Sequence, residues 1–296
     1  MKLLVTGAWK FTPEDIEQLK SFGHDVSLLP METDPLPLPY EEVEGVICNG
    51  LFLSHPIEKF TNLRYIQLTS AGYDRVPMDY VRAHGIEIHN AKGVYSIPMA
   101  EFAVSGVLQL YKQADFFREN QKLHKWEKHR GLRELNGKTV CIIGCGNVGS
   151  ECAKRFEAFG CTVIGVNRTV KAVPHFSAVY PPEEIDAALQ RSDVIVVTIA
   201  LTDETRHLIN AARLSKLKSD AVLVSISRGA VIDTEALINW LNKNPAAGAV
   251  LDVFEEEPLN GDSPLWEMEN VIVTPHNSFV GEGNIYRLNR VIYRLL

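Results

Sequence analysis

The chain has 296 residues, 46% of them hydrophobic and 23% charged, with a formal net charge of −7 and a pI near 5.8. That length suits two domains with buried cores, and the acidic balance argues against nucleic acid or an anionic membrane surface as partner. No signal-peptide layout follows Met1 and no apolar run approaches the ~18 residues of a membrane span, so a cytoplasmic protein is expected.

Short apolar runs alternate with helical patterns, which predicts an α/β fold of parallel sheets with crossover helices. Strands are predicted near 2–6, 25–29, 45–48, 64–68 and 86–89. Between the first two, Thr12-Pro13-Glu14-Asp15 reads as a helix start, with Thr12 as cap, Pro13 at the first helical position and acids at the positive end. Residues 30–40, with prolines at 30, 35, 37 and 39, form a loop. After Pro98, as far as Lys125, there is no proline and one glycine, which predicts one long helix of the kind that joins domains. The stretch Trp126–Asn136 is polar and irregular. Gly137-Lys138 then opens a second series of strands near 139–143, 162–166, 193–198, 221–225, 248–251 and 271–273. The last segment places Ile285, Leu288, Val291, Ile292 and Leu295 on one helical face, which is expected to dock back on the first domain. The expected division is therefore 1–100 with 281–296 as one domain and 101–280 as the other.

Five cysteines (Cys48, Cys141, Cys145, Cys152 and Cys161) have no zinc-ribbon spacing, and their odd number suits reduced, buried thiols with no metal. Three of them fall in or beside a glycine turn, Gly144-Cys145-Gly146-Asn147-Val148-Gly149. This turn follows an apolar strand and opens a helix, the setting in which such glycines give a tight turn, close approach of backbone to a pyrophosphate, and helix–strand packing. A dinucleotide site in the second domain is the expectation; a ligand-free strand–helix turn is the alternative. At the end of the next strand, Asn167-Arg168-Thr169 stands where an acid would receive ribose hydroxyls and repel a 2′-phosphate. Arg168 and Thr169 can bind a phosphate, so NADP is expected over NAD, unless Arg168 is only a solvated loop residue.

Three stretches follow later strands: Ser227-Arg228-Gly229, Asp252-Val253-Phe254-Glu255-Glu256-Glu257-Pro258 and Thr274-Pro275-His276. An arginine can fork onto a 2-keto carboxylate and its carbonyl, a histidine can move the hydroxyl proton near neutral pH, and a carboxylate on the other ring nitrogen stabilises the imidazolium. Arg228 could instead be a surface arginine, Glu255 or Glu256 could replace Glu257, and His276 could be a core histidine. The other eight histidines have no comparable company in the sequence.

With Ser70-Ala71-Gly72-Tyr73-Asp74, Asn90-Ala91-Lys92-Gly93-Val94-Tyr95-Ser96, Ala100-Glu101 and Glu134-Leu135-x-Gly137-Lys138, these motifs run nearly end to end. The chain resembles the D-isomer-specific 2-hydroxyacid dehydrogenase family, whose relatives include phosphoglycerate dehydrogenase and glyoxylate/hydroxypyruvate reductase. The resemblance implies two Rossmann-like, doubly wound parallel-sheet domains with a cleft between them, the first flavodoxin-like and substrate-binding, the second NAD(P)-binding. It implies Arg228 as substrate arginine, Glu257 as acid partner and His276 as proton donor. Asp252 would receive the nicotinamide carboxamide, with a helix cap as its alternative. Ser70, Ala71 and Gly72 would offer N–H groups to the substrate carboxylate, with a plain turn as theirs. A homodimer is implied, with residues 112–135 as candidate contact surface.

The loop Asn49-Gly50-Leu51-Phe52-Leu53-Ser54-His55 lacks the arginines with which phosphoglycerate dehydrogenases meet a substrate phosphate; Lys92 is the nearest candidate cation. A dianionic phosphate would be poorly held there. The expected activity is reduction of a small unphosphorylated 2-keto acid such as hydroxypyruvate or glyoxylate. D-3-phosphoglycerate dehydrogenase is the runner-up, and a non-catalytic NAD(P)-sensing binding protein is the alternative of another class.

Overall fold

The computed structural model describes residues 1–295, the side chain of Leu295 excepted. The chain forms two compact units, Met1–Tyr95 with Gly281–Leu296, and Ser96–Val280.

The first unit contains β1 (Lys2–Thr6), α1 (Pro13–Ser21), β2 (Asp25–Leu29), β3 (Gly45–Cys48), α2 (Leu51–Ser54), β4 (Tyr65–Leu68), α3 (Met78–Ala83) and β5 (Glu87–His89). Its five strands are all parallel, in the order β2-β1-β3-β4-β5. β3 and β4 are buried at every residue, as central strands covered on both faces must be. α1 begins with a capping box: Asp15 N–H donates to Thr12 Oγ1 at 3.3 Å, and Thr12 N–H donates to Asp15 Oδ2 at 2.7 Å.

The second unit contains α4 (Ser96–Tyr111), α5 (Ala114–Lys122), β6 (Thr139–Ile143), α6 (Asn147–Ala158), β7 (Thr162–Val166), β8 (Ala178–Tyr180), α7 (Ile185–Arg191), β9 (Val194–Val197), α8 (Ala211–Leu214), β10 (Val222–Ser225), α9 (Thr234–Lys243), β11 (Gly248–Leu251) and β12 (Val271–Val273). Its sheet is also parallel, in the order β12-β11-β10-β9-β6-β7-β8. The order reverses between β9 and β6, so the switch point lies where these strands end, at Ile143 and Val197. Apolar clusters cover both faces, one built on Ile195, Leu223 and Ala249, the other on Val194, Val222 and Val250. The sequence reading missed β8, three half-buried residues at the sheet edge.

The single long helix expected to Lys125 is two helices. Gln113 takes a left-handed conformation, φ +51°, and α5 starts after it. The Tyr111 carbonyl, which a continuing helix would use, accepts instead from Arg133 N–H at 3.0 Å, and the Arg133 guanidinium lies 4.1 Å from the Tyr111 ring centre. The returning chain thus ends the helix. Because α4 starts at Ser96, the first unit stops at Tyr95 rather than at residue 100.

The last helix, α10 (Asn284–Leu295), belongs to the first unit. Leu288 and Ile292 are buried with Leu3, Val5, Trp9, Ile16 and Leu19. Trp9 Nε1–H donates to Asn289 Oδ1 at 2.8 Å, Asn289 Nδ2 donates to Asp15 Oδ1 at 2.9 Å, and the Tyr293 hydroxyl donates to the same carboxylate oxygen. The side chain of Leu295, expected on this face, and Leu296 lie outside the described residues. With Ile292 fully buried, Ile292→Ala should cost about 2–5 kcal/mol of first-unit stability, read as an earlier unfolding midpoint in denaturant.

Candidate active site

The glycine turn links β6 to α6 at the switch point of the second sheet. Gly149 faces the Gly144 carbonyl so closely that a Cβ would stand 1.9 Å from its oxygen, so only glycine lets helix and turn meet. Gly146 is the opposite case, with nothing within 4 Å of where a Cβ would point. Gly146 and Asn147 are exposed, Val148 is half-buried, and no side chain caps the first turn of α6. Free helix N–H groups beside an open glycine fit the pyrophosphate of a dinucleotide. Thr198, which the sequence reading did not single out, fixes the turn from the far side of the switch point. Its Oγ1 hydroxyl donates to the Gly144 carbonyl at 2.8 Å, and its N–H donates to the Ile143 carbonyl at 2.9 Å. The available signal was a polar residue directly after the apolar run of β9.

Asn167 follows β7 and is tied on both sides: Cys145 N–H donates to Oδ1 at 3.4 Å, and Nδ2 donates to the Thr169 carbonyl at 3.0 Å. This neutral amide shapes the loop, while Arg168 and Thr169 are exposed. Burial pushes the Cys145 thiol up to about 11, which makes it a neutral spacer within the turn.

Arg228, Asp252, Glu257 and His276 follow β10, β11 and β12, three adjacent strands in register at Ser225, Leu251 and Val273. Asp252 is fully buried. Its Oδ1 accepts from the Thr274 hydroxyl at 2.6 Å and from Asn277 N–H at 2.7 Å, and its Oδ2 accepts from Ser278 N–H at 2.9 Å. No helix starts at Asp252, so it caps a turn rather than a helix. That turn carries His276 at φ +50°, a conformation costing a non-glycine residue about 1–3 kcal/mol. His276 N–H donates to the Asp252 carbonyl at 2.8 Å, which holds the strained residue in place.

His276 Nδ1 meets Glu257 Oε2 at 2.8 Å, while Glu257 Oε1 accepts from Phe254 N–H at 3.0 Å. Both side chains are about two-fifths exposed, at 40% and 37%, so the pair is open to solvent. Of the three consecutive glutamates, Glu257 is the one on His276. Glu255 turns away to His207 Nε2 at 2.6 Å and to Thr234 N–H at 2.9 Å. Half-buried Arg228 donates from Nη1 to the Ser227 carbonyl at 2.8 Å. The next residue, Gly229, lies against Phe254, where a Cβ would come within 1.9 Å of its carbonyl carbon, so the arginine loop and the glutamate loop are pressed together.

One expectation needs correction. Three other histidines also have carboxylate partners: His89 with Glu87, His175 with Glu157 and His207 with Glu255, each at 2.6 Å. The last two pairs join residues far apart in sequence, which single-chain reading could not see. What separates His276 from them is its place on the turn that Asp252 organises.

In the first unit, Ser70-Ala71-Gly72 follows β4. Ala71 is exposed and its neighbours are half-buried; the Ser70 carbonyl accepts from Ala91 N–H at 2.9 Å and the Ala71 carbonyl from Asn90 Nδ2 at 2.6 Å. With the carbonyls turned to partners, the three N–H groups donate to no other group among the described residues. Unpaired N–H groups of this kind are the donors an anion would need.

Residues 104–278 match the family described as D-isomer specific 2-hydroxyacid dehydrogenase, NAD binding domain. The glyoxylate reductase of Thermofilum pendens is 34% identical over 223 residues, covering 73% of this chain and 65% of its own length. The glyoxylate reductase of Thermococcus gammatolerans is 35% identical over 291 residues, covering 93% of this chain and 85% of its own. Among solved structures, the D-isomer specific 2-hydroxyacid dehydrogenase of Xanthobacter autotrophicus Py2, in complex with NADPH and MES, is similar with a TM-score of 0.79 and 28% identity, covering 99% of this chain and 93% of that one.

The Glu255 pair has a consequence for stability. Burial raises the Glu255 carboxyl, but hydrogen bonds from His207 and Thr234 outweigh it, and the net displacement is downward. A carboxyl lowered by folding adds stability above its unfolded value, near 4.3, and loses it as pH falls through the folded value. Glu255→Gln should therefore lower the melting temperature at pH 6 and flatten its fall from pH 5 to pH 3, as thermal unfolding across that range would reveal.

Proposed function

The chain belongs to the D-isomer specific 2-hydroxyacid dehydrogenase family, and we propose that it reduces a small unphosphorylated 2-keto acid, such as hydroxypyruvate or glyoxylate, to the D-hydroxy acid. The observation that carries this is the His276–Glu257 pair at 2.8 Å, set on the same strand-end ledge as Arg228. We assign cofactor binding to the second unit and substrate binding to the first. Arg228 forks onto the substrate carboxylate and the 2-keto oxygen, drawing electrons from the carbonyl carbon. Within the first unit, the Ser70, Ala71 and Gly72 N–H groups are assigned to substrate binding.

Nicotinamide, when bound, supplies the hydride. His276 begins protonated, with Nδ1–H donated to Glu257, and gives the Nε2 proton to the keto oxygen as the carbonyl π bond breaks. New C–H and O–H bonds result, and neutral His276 keeps its Nδ1–H on Glu257. Asp252 holds the turn of His276 through three of its roughly four acceptor positions, and the remaining one is assigned to the nicotinamide carboxamide.

NADP is the proposed cofactor over NAD. The exposed Arg168 and Thr169 behind a neutral Asn167 support this, because no carboxylate stands there to repel a 2′-phosphate. A reducing cytoplasm suits the five unpaired cysteines, four of them buried. A homodimer joined around 112–135 is supported by Leu123 and Trp126, which are 60% and 99% exposed. Among the described residues, no helix is long and apolar enough to cross a membrane.

The deciding experiment crosses NADPH and NADH with hydroxypyruvate, glyoxylate, pyruvate, a branched 2-keto acid and 3-phosphohydroxypyruvate in initial-rate assays. The expected result is fastest oxidation of NADPH with an unphosphorylated acid. NADH with 3-phosphohydroxypyruvate as the best pair would overturn the reading in favour of a phosphoglycerate dehydrogenase. Cofactor binding without turnover of any acid would make the protein a sensor. Asn167→Asp is expected to move the kcat/KM ratio toward NADH by about tenfold, since it places like charges together at the 2′-phosphate.

A further inference from the structure

Ligands of doubly wound sheets bind where the strand order reverses, at the carboxyl ends of the strands. In the first unit that point lies between β1 and β3, and it is filled from within the chain. Glu32, beyond the end of β2, reaches across the end of β1 to the end of β3. Its Oε1 accepts from the Thr6 hydroxyl at 2.8 Å and from Asn49 N–H at 2.7 Å, and its Oε2 accepts from Gly50 N–H at 2.7 Å. Two consecutive backbone N–H groups and a hydroxyl are the donors that would otherwise hold an incoming anion. The carboxylate is half-buried, so water screens its charge less than it would on an open surface. Its reach is also felt by Cys48, whose thiol is pushed well up by burial first and by Glu32 second.

This crevice adjoins the proposed carboxylate site. β3 and β4 are neighbours, paired Cys48 with Leu68, and Thr69 N–H donates to the Cys48 carbonyl at 2.9 Å. A 2-keto acid held at Ser70–Gly72 therefore has the Asn49–Gly50 loop about one strand spacing away, roughly 5 Å. Arg75 is a neighbouring cation, its Cδ 3.7 Å from where a Gly50 Cβ would stand, but it is exposed and makes no ion pair with Glu32 within 4.0 Å among the described residues.

We propose that Glu32 is a specificity-determining residue that bars 2-keto acids bearing a second anionic group, whether phosphate or carboxylate, and so restricts the enzyme to uncharged tails. The proposal rests on the reading of Ser70–Gly72 as the substrate carboxylate site. An anionic tail finds the donors already taken and a like charge in their place, whereas a hydrogen or hydroxymethyl group meets no repulsion and a hydroxyl can donate to the carboxylate.

The test compares kcat/KM for hydroxypyruvate with that for 3-phosphohydroxypyruvate and for oxaloacetate, in the wild-type protein and in Glu32→Gln. The wild type is expected to favour hydroxypyruvate by at least about a hundredfold over either anionic acid, and Glu32→Gln to narrow that ratio by about tenfold. Ratios near one in the wild type, as would arise if Arg75 drew the second anion in, overturn the proposal without any variant. A wide ratio unchanged by Glu32→Gln, in a variant that melts cooperatively and turns over hydroxypyruvate, overturns it as well. Wild-type protein that turns over no 2-keto acid with either nucleotide brings down the functional reading itself and this proposal with it, an outcome distinct from the other two.

Discussion

A fully buried carboxylate holds the chemical end of this chain in place. Asp252 leaves β11 fully buried and gathers Thr274, Asn277 and Ser278 around its two oxygens. A buried carboxylate without partners would be costly, and here three donors come from the segment that follows β12. The arrangement works in both directions. The turn neutralises the cost of burying Asp252, and Asp252 makes a left-handed His276 tolerable. Pressed against this, the contact of Gly229 with Phe254 keeps the Arg228 and Glu257 loops from sliding past one another. Three loops from three strands thereby become one rigid ledge.

The two sheets use the same topology for opposite ends. Each reverses its strand order once, and each brings backbone N–H groups to that reversal. In the second sheet the reversal ends in an open glycine and an uncapped helix, with Thr198 fastening the turn from behind. In the first sheet the corresponding donors are already satisfied by Glu32. A doubly wound sheet makes an anion site almost inevitable, and the local side chain decides whether that site is presented or closed.

Much of this was legible in the sequence because parallel strands are short apolar runs. Eleven of the twelve strands fall where the runs fall, and the α/β class with parallel sheets follows from their alternation with helices. β8 escaped because three half-buried residues at an edge carry little pattern. The break after α4 escaped because nothing between residues 99 and 125 forbids a helix; a returning arginine, twenty-two residues on, takes the Tyr111 carbonyl. The pairing of Glu257 with His276 was readable through motif resemblance. That of Glu255 with His207, forty-eight residues apart, was not. Glu32 was illegible for a similar reason: its meaning depends on β1, β2 and β3 lying side by side out of sequence order.

The return of α10 to the first unit bears on the order in which the molecule can be made. Trp9, Asp15 and the apolar face of β1 are synthesised early, yet Leu288, Asn289 and Ile292, which cover them, follow only after the whole of the second unit. The second sheet has all its strands by Val273. On a translating ribosome, then, the second sheet can close while the first still shows an apolar face to water, and Met1–Tyr95 await α10.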